Sequence, residues 1–431
     1  MDIIEEFLRE DLKQLQEQPY EDKLERTKMK VKDFIDSVGL DKASLMFSGG
    51  KDSTVLLHIV RNMYPSIRVV FANTGIEFPE VTKFVKETPN VEVVRTPYKQ
   101  IDIYERVGYP VVSKEVSKRI RDGRRSSNKR VLDAILGLRG DLQKLNKHYL
   151  HFLDTDFVSY QVSNSCCYYF KKKPLKANKN IFVGTRTEES LLRTKTWMRY
   201  GCNHFGVTKN SSAPLSTWLE VDIHKYIKDN NVAISTIYTE KGALRTGCYN
   251  CPYGMNKEET LINNNLLDEN RYEKLIKFHP KLYDYSMDIV GMRQVLLDSG
   301  VRIRKDKEYM KQFFIRAKEI DNWYRNYDTN MNKILDSIAL RGVVYSTEER
   351  QLILDNNRLT EKSLRSIIQF NKKTGEQMGT FKTIKEAERK TGVDYSNIDK
   401  ACRGKLKSAG GYVWKFSTDV EENIDSSSPL Y

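Results

Sequence analysis

The stretch Leu45-Met46-Phe47-Ser48-Gly49-Gly50-Lys51-Asp52-Ser53-Thr54 constrains this chain most. A short apolar run ends in a Ser-Gly-Gly turn, and a helical pattern (Val55, Leu56, Ile59) begins at once, so the order is strand, tight loop, helix. The two glycines permit backbone angles closed to other residues and let the main chain approach a ligand closely. Ser53 and Thr54 fall at the helix start, where unpaired N–H groups and the positive end of the dipole face the loop. That is a cradle for a phosphate. It is not a Walker A loop, because the Gly-x-x-x-x-Gly-Lys-Ser/Thr spacing is missing. The plainer alternative is an exposed turn before a helix.

The flanking chain extends the pattern. Residues 1–36 repeat apolar positions (Ile3, Ile4, Phe7, Leu8, Leu12, Leu15) at helical spacing and predict a packing helix. Ile67–Ala72 predicts a second strand ending in Asn73-Thr74-Gly75, Val91–Arg95 a third, and Ile181–Val183 another. Strand, helix, strand over this length is a right-handed parallel crossover, and ligands in such sheets bind beyond the carboxyl ends of the strands. Asn73, Thr74 and Gly75 are therefore expected beside the Ser-Gly-Gly loop. After the fourth strand come Gly184, Arg186, Glu189 and Arg193; Arg186 can offer a bidentate fork to a phosphate or sulfate. Glu189 and Arg193, four apart, also suit an ordinary helix-surface ion pair.

Six cysteines in 431 residues do not make a disulfide scaffold, so a reducing, cytoplasmic setting is expected. No signal-peptide pattern opens the chain, and no apolar run approaches the ~20 residues that cross a bilayer. Cys166-Cys167 and Cys248-Tyr249-Asn250-Cys251 supply four thiols, which by count suit a [4Fe–4S] cluster or a structural zinc equally. Cys202 is either a sulfur carrier or a small buried hydrophobe. His58 and His224 read as ordinary helix residues. Basic residues dominate Lys114–Arg130, as a solvated helix face or a nucleic-acid surface.

The Ser48–Ser53 stretch resembles the pyrophosphatase loop of the adenine nucleotide alpha-hydrolase superfamily, whose hallmark Ser-Gly-Gly-x-Asp-Ser it matches throughout. That superfamily includes ATP pyrophosphatases, tRNA-thiolating enzymes and phosphoadenosine phosphosulfate (PAPS) reductases. Asn73-Thr74-Gly75-Ile76-Glu77-Phe78-Pro79-Glu80 is similar to the reductases' Asp-Thr-Gly before Phe/Tyr-Pro-Glu, with Asn73 removing a charge. Gly184 to Arg193 is close to the family's Gly-x-Arg-x-x-Glu-Ser with a following Arg. Pro214 to Tyr226 resembles the segment that leads to the family's Cys-x-x-Cys, and Trp218 there is expected in the core. Cys-Cys followed by Cys-x-x-Cys resembles the iron–sulfur branch, including DNA phosphorothioation sulfur-transfer proteins. The reductases' closing Glu-Cys-Gly-Ile/Leu-His is missing; the only later cysteine is Cys402, in Ala401-Cys402-Arg403-Gly404.

The resemblance implies ATP or PAPS held by Ser48, Gly49, Gly50, Asp52, Ser53, Thr54, Asn73, Thr74, Gly75, Gly184, Arg186, Glu189 and Arg193, with Mg²⁺ at Asp52. It implies Lys51, Asp52, Arg186 and Cys202 as catalytic residues, and a [4Fe–4S] cluster on Cys166, Cys167, Cys248 and Cys251. A cysteine desulfurase, or a reductant such as thioredoxin, would be a partner.

Residues 256–360 predict a helical extension rich in Lys, Arg and Tyr, with turns near Ser299-Gly300 and Arg341-Gly342. Residues 361–418 then predict a compact module: a hairpin (Ile367–Phe370, Met378–Phe381), a helix capped by Thr383, a break at Thr391-Gly392, a second helix from Ser396, and a closing strand Tyr412–Phe416. It carries thirteen Lys/Arg against six Asp/Glu, half of the chain's net charge of +14. Helix, Gly turn, helix suits a DNA groove. The module resembles nuclease-associated modular DNA-binding repeats, but no His-Asn-His or Gly-Ile-Tyr nuclease core accompanies it, so DNA cleavage is not expected. Residues 419–431 read as a disordered tail.

The expected fold class is α/β: a parallel sheet with helices on both faces over residues 37–255, a helical extension, and a small α+β helix-turn-helix-containing module. The expected function is nucleotide-dependent activation of an acceptor, DNA by hypothesis, for sulfur transfer. The alternatives are sulfonucleotide reduction releasing sulfite, and a non-catalytic DNA-binding regulator that senses nucleotide or cluster.

Overall fold

A computed structural model describes residues 3–140, 143–263, 269–359, 367–381 and 384–416. Thr383 and the 419–431 tail lie outside the described residues. The chain forms two compact units, residues 1–107, 165–251 and 274–283 in the first, and 108–164, 252–273 and 284–431 in the second.

In the first unit α1 (Ile3–Glu17) and α2 (Tyr20–Val38) stand where one helix was expected. Pro19 separates them, because proline has no N–H to donate and disfavours helical angles in the residue before it. Then come β1 (Ala43–Phe47), α3 (Lys51–Met63), β2 (Arg68–Asn73), α4 (Pro79–Glu87), β3 (Val91–Arg95), α5 (Gln100–Val107), β4 (Asn180–Val183), β5 (Asn203–Phe205) and β6 (Asn210–Ser212). The sheet order is β3-β2-β1-β4-β6-β5, parallel throughout except for the β5–β6 pair. The chain moves outward to β3 on one side of β1 and resumes at β4 on the other. The loops after β1 and β4 therefore face each other across the switch point, where sheets of this kind hold ligands.

Leu45, Phe47, Val69, Phe71 and Phe182 of the strands pack with Val55, Leu56, Ile59 and Val60 of α3, Val31 and Phe34 of α2, and Trp218. Phe34 meets Phe182 edge-on at 4.8 Å. Trp218 is fully buried, as expected, and its indole N–H donates to Thr27 Oγ1 at 2.9 Å. Lys23 and Asp222, 4% and 6% exposed, form an ion pair at 2.5 Å that ties α2 to helix Glu220–Asp229. Lys23→Met leaves that carboxylate buried and uncompensated, so a loss of about 3–5 kcal/mol in the urea-unfolding free energy is expected.

In the second unit Lys114, Lys118, Arg125, Lys129 and Arg130 of the basic run are exposed, while Arg119 and Arg124 turn inward. Arg124 of helix Lys114–Arg125 donates to the carbonyls of Phe152, Tyr160 and Val158 at 2.6, 2.7 and 2.7 Å, and Arg119 to that of Lys144 at 2.6 Å. These two guanidiniums satisfy loop carbonyls, an arrangement not expected, while the exposed lysines and arginines of the run form the solvated face that was one of the two expectations. The C-terminal module has strand order β8-β7-β9, from β7 (Ile367–Asn371), β8 (Gln377–Phe381) and β9 (Tyr412–Phe416). Helices Ile384–Thr391 and Tyr395–Cys402 pack Ala387, Ile398 and Ala401 against Ile367, Phe381 and Trp414. Among the described residues no helix is long and apolar enough to cross a membrane.

Candidate functional site

A cleft of about 490 Å³ opens at the switch point of the first unit. The turn from Ser48 to Gly50 forms one wall, and Gly184, Thr185 and Arg186, leaving β4, form another. Gly49 has φ +69°, and a side chain there would strike Val81 and Val85 of α4. Within the turn, Ser48 and Ser53 share a hydrogen bond at 2.9 Å, and Ser53 and Thr54 donate to the Gly50 carbonyl at 2.8 and 3.0 Å. The Lys51 amide donates to the Tyr238 hydroxyl at 3.2 Å, so a neutral oxygen already stands where the helix start offers N–H groups to an anion.

Charge is concentrated here. Arg186, 4% exposed, divides its guanidinium among Asp52, Glu188 and Glu220. Lys51 pairs with Glu220 and donates to the Leu244 carbonyl at 3.1 Å. Arg193, paired with Glu189, is held below the usual arginine range by burial first and then by the neighbouring Arg245, with Arg186 adding to the effect. Glu189 faces both Arg193 and Arg245 and offsets part of this repulsion. Burial alone would raise Glu220, but the Lys51 hydrogen bond and charge, with Arg186, hold it below 4.5. A carboxylate with a depressed folded pKa stabilises the fold above its unfolded pKa, and loses that contribution as pH falls through the folded value. The urea midpoint of Glu220→Gln is therefore expected to fall less than wild type between about pH 5 and pH 3.

Ser48, Gly50, Lys51, Asp52, Ser53, Gly184, Arg186, Glu189 and Arg193 line this cleft, as do Glu77, Lys171, Glu220, Tyr238, Arg245, Thr246 and Gly247. Thr54 and Gly49 support the turn from behind. Asn73, Thr74 and Gly75 do not line the cleft: Asn73 Oδ1 accepts from the Gly75 amide at 2.9 Å, and Thr74 gives both its amide and its hydroxyl to Glu77, at 3.1 and 2.6 Å. Glu77 faces the cleft in their place. Cys202 also stands off it, half-buried, with Sγ 3.1 Å from Ser216 Oγ. The sequence reading missed Glu77, Lys171, Glu220, Tyr238 and Arg245. Lys171 and Arg245 lay within a few residues of the cysteine pairs, which was a usable signal, but Tyr238 and Glu220 had none.

The four cysteines approach one another. The Cys248–Cys251 turn hangs on the chain after β2, through a bridge of Glu77 with Cys248 and the Tyr249 amide to the Ile76 carbonyl at 2.8 Å. The Cys166 thiol is pushed up by its hydrogen bond to Cys167, by burial, and by the negative charge that Cys167, Cys251 and Cys248 would carry. Among the described residues no group of three or more His, Cys, Asp or Glu side chains is already arranged to hold a metal ion. The donor set, four thiols from two segments, is nonetheless of the chemistry a thiophilic metal centre takes.

An open, mostly parallel sheet with a cleft of paired cations and carboxylates at its switch point defines an α/β domain of the kind that holds ligands beyond its strand ends. Residues 42–102 and 141–253 match the phosphoadenosine phosphosulfate reductase domain. The unmatched interval contains helix Lys114–Arg125 of the second unit. An uncharacterized HNH endonuclease of Acanthamoeba polyphaga mimivirus is 33% identical over 112 residues, 26% of this chain and 28% of that protein. An uncharacterized protein of Methanocaldococcus jannaschii is 24% identical over 284 residues, 64% of this chain and 51% of that protein. The chain thus spans about a quarter and about half of the length of these relatives. The phosphate complex of phosphoadenylyl-sulfate (PAPS) reductase from Candida auris aligns at 13% identity and a TM-score of 0.30, over 56% of this chain and 94% of its own.

Proposed function

We propose that the protein is an adenine-nucleotide-dependent enzyme that activates a nucleic-acid acceptor by adenylation for sulfur transfer. The observation that carries this reading is the crowding of Lys51, Arg186, Arg193 and Arg245 around one cleft beside the Ser48–Ser53 turn. So many cations suit a polyphosphate better than a single carboxylate. The phosphates rest on the turn and the start of α3, displacing the Tyr238 hydroxyl, with Mg²⁺ beside Asp52. Lys51 and Arg186 exchange their carboxylate partners for phosphate oxygens. An acceptor oxygen attacks the α-phosphorus and the bond to pyrophosphate breaks. The adenylated oxygen then departs with AMP when the outer sulfur of a persulfide, supplied by a cysteine desulfurase, attacks the acceptor. A second thiol cleaves the resulting S–S bond, leaving sulfur on the acceptor and a disulfide on the donor. Fixed cations meet the charge that develops in each step.

Cys166, Cys167, Cys248 and Cys251 are proposed to hold a [4Fe–4S] cluster, which when bound supplies electron transfer. Anaerobically purified protein is then expected to be brown with about four irons per chain; a colourless protein with one zinc refutes the cluster. The basic C-terminal module is proposed to bind duplex DNA, supported by its helix pair and its exposed Ser396, Asn397, Lys400 and Arg403.

The test is release of pyrophosphate from ATP in the presence of DNA, lost when Ser48, Gly49 and Gly50 are replaced by alanine. Sulfite release from PAPS with thioredoxin would instead assign the reduction for which the matched domain is named. If neither nucleotide turns over, the enzymatic reading falls and DNA binding alone is left.

A further inference from the structure

We infer that the outer face of Tyr168–Lys173, together with Tyr98 and Arg106, is a stacking and phosphate-binding surface for a single strand of nucleic acid, leading to the rim of the cleft. This deepens the proposed function by making the acceptor single-stranded, and it rests on that reading for the chemistry but not for the binding.

The segment has two faces. Lys171 and Leu175 line the cleft, while Tyr168, Lys172 and Lys173 are exposed and do not line it. Residues Tyr168–Lys172 form a π-helical turn, a widened winding that recurs at functional sites. Three tyrosine rings meet at steep angles: Tyr168 and Tyr169 at 5.3 Å and 86°, Tyr98 and Tyr169 at 6.2 Å and 85°. Tyr168 remains 46% exposed. The exposed Tyr168 ring offers a face to a base splayed out of a stack, and Tyr169 braces it edge-on.

Cations are interleaved with the rings. The Arg106 guanidinium lies 5.1 Å from the Tyr98 ring and 5.0 Å from that of Tyr169. Lys173 lies 5.0 and 5.5 Å from the same two rings and donates to the Tyr98 hydroxyl at 2.8 Å. Beyond them Lys172, Lys179 and Lys209 are exposed, and Lys209 sits near enough to Lys172 and Lys179 to feel their charge. A cluster that only pinned α5 to the 165–176 segment would leave neither an open tyrosine face nor this surrounding positive charge. Rings for bases and ammonium groups for the backbone are the two components of single-strand surfaces that tolerate any sequence.

The experiment uses the full chain without ATP, so that an inactive enzyme does not affect its outcome. Anisotropy is measured with a labelled oligothymidylate of about 16 nucleotides and, separately, with a labelled duplex. Tyr168→Ala with Tyr169→Ala is expected to weaken single-strand binding about tenfold or more and leave duplex binding unchanged. Lys172→Glu, an exposed substitution outside the ring cluster, should weaken it and reduce its salt dependence. Lys405→Glu with Lys407→Glu, in the C-terminal module, should weaken duplex binding alone. The inference is overturned if the tyrosine and Lys172 variants bind the single strand like wild type, or if the module variant alone abolishes single-strand binding.

Discussion

Gly184→Ala is expected to destabilise the protein by about 1–3 kcal/mol and to weaken ATP binding at least tenfold. A Cβ built on Gly184 stands 2.8 Å from Ser53 Cα and 2.9 Å from Ser53 N. Both are backbone atoms of the first turn of α3, so no side chain can rotate out of the way. Either the end of β4 or the start of α3 must move, and the start of α3 is part of the proposed anion cradle. A displacement on the order of 1 Å at such a site can cost about a hundredfold in rate, and it also spoils the hydrogen bonds that hold the phosphates. Urea unfolding and ATP titration read the two effects separately. Gly75→Ala is the control: Gly75 has φ +75° but nothing within 4 Å of an added Cβ, and it does not line the cleft. It should lose about 1 kcal/mol to backbone strain and keep its affinity for nucleotide. Equal affinity in wild type and Gly184→Ala would remove the idea that this contact pins the cradle.

Arg186→Ala is expected to lower nucleotide turnover by about 10²–10³, as the loss of a charge-stabilising donor does elsewhere. It should also cost about 3 kcal/mol of stability, because Asp52, Glu188 and Glu220 lose their shared counter-charge. The lower end of the usual range applies, since Glu188 and Glu220 remain 41% and 39% exposed and water screens them. Arg186→Lys separates the two effects. An ammonium keeps the charge but not the fork, so stability should recover more than turnover. Turnover at the wild-type rate in Arg186→Ala would exclude this residue from the reaction.

The local elements were legible in the sequence. Val91–Arg95 and Tyr412–Phe416 form strands over the residues expected, and the Ser48–Gly50 turn lies between β1 and α3. The hairpin of the C-terminal module is in place, with Asn371 Oδ1 accepting from the amides of Lys373 and Thr374. At the site, Lys51, Asp52 and Arg186 reach the cleft because the turn and β4 put them at adjacent strand ends. Asn73 and Thr74 were expected there as well. Their short polar side chains instead find partners within three residues, a local competition that an expected strand end does not reveal.

Hydrophobic periodicity, glycine placement and turn chemistry act over a few residues, and so the strand–turn–helix unit, its parallel crossover and the C-terminal hairpin followed from the chain alone. Which distant groups meet depends on packing. The Arg186–Asp52 pair joins residues 134 apart in sequence, and the Lys51 amide reaches a hydroxyl 187 residues away. Burial of Arg124 among loop carbonyls likewise turned an apparent surface charge into an internal clamp. A cation's partner is set by the dielectric and the geometry around it in the folded chain, neither of which is written in its neighbours along the sequence.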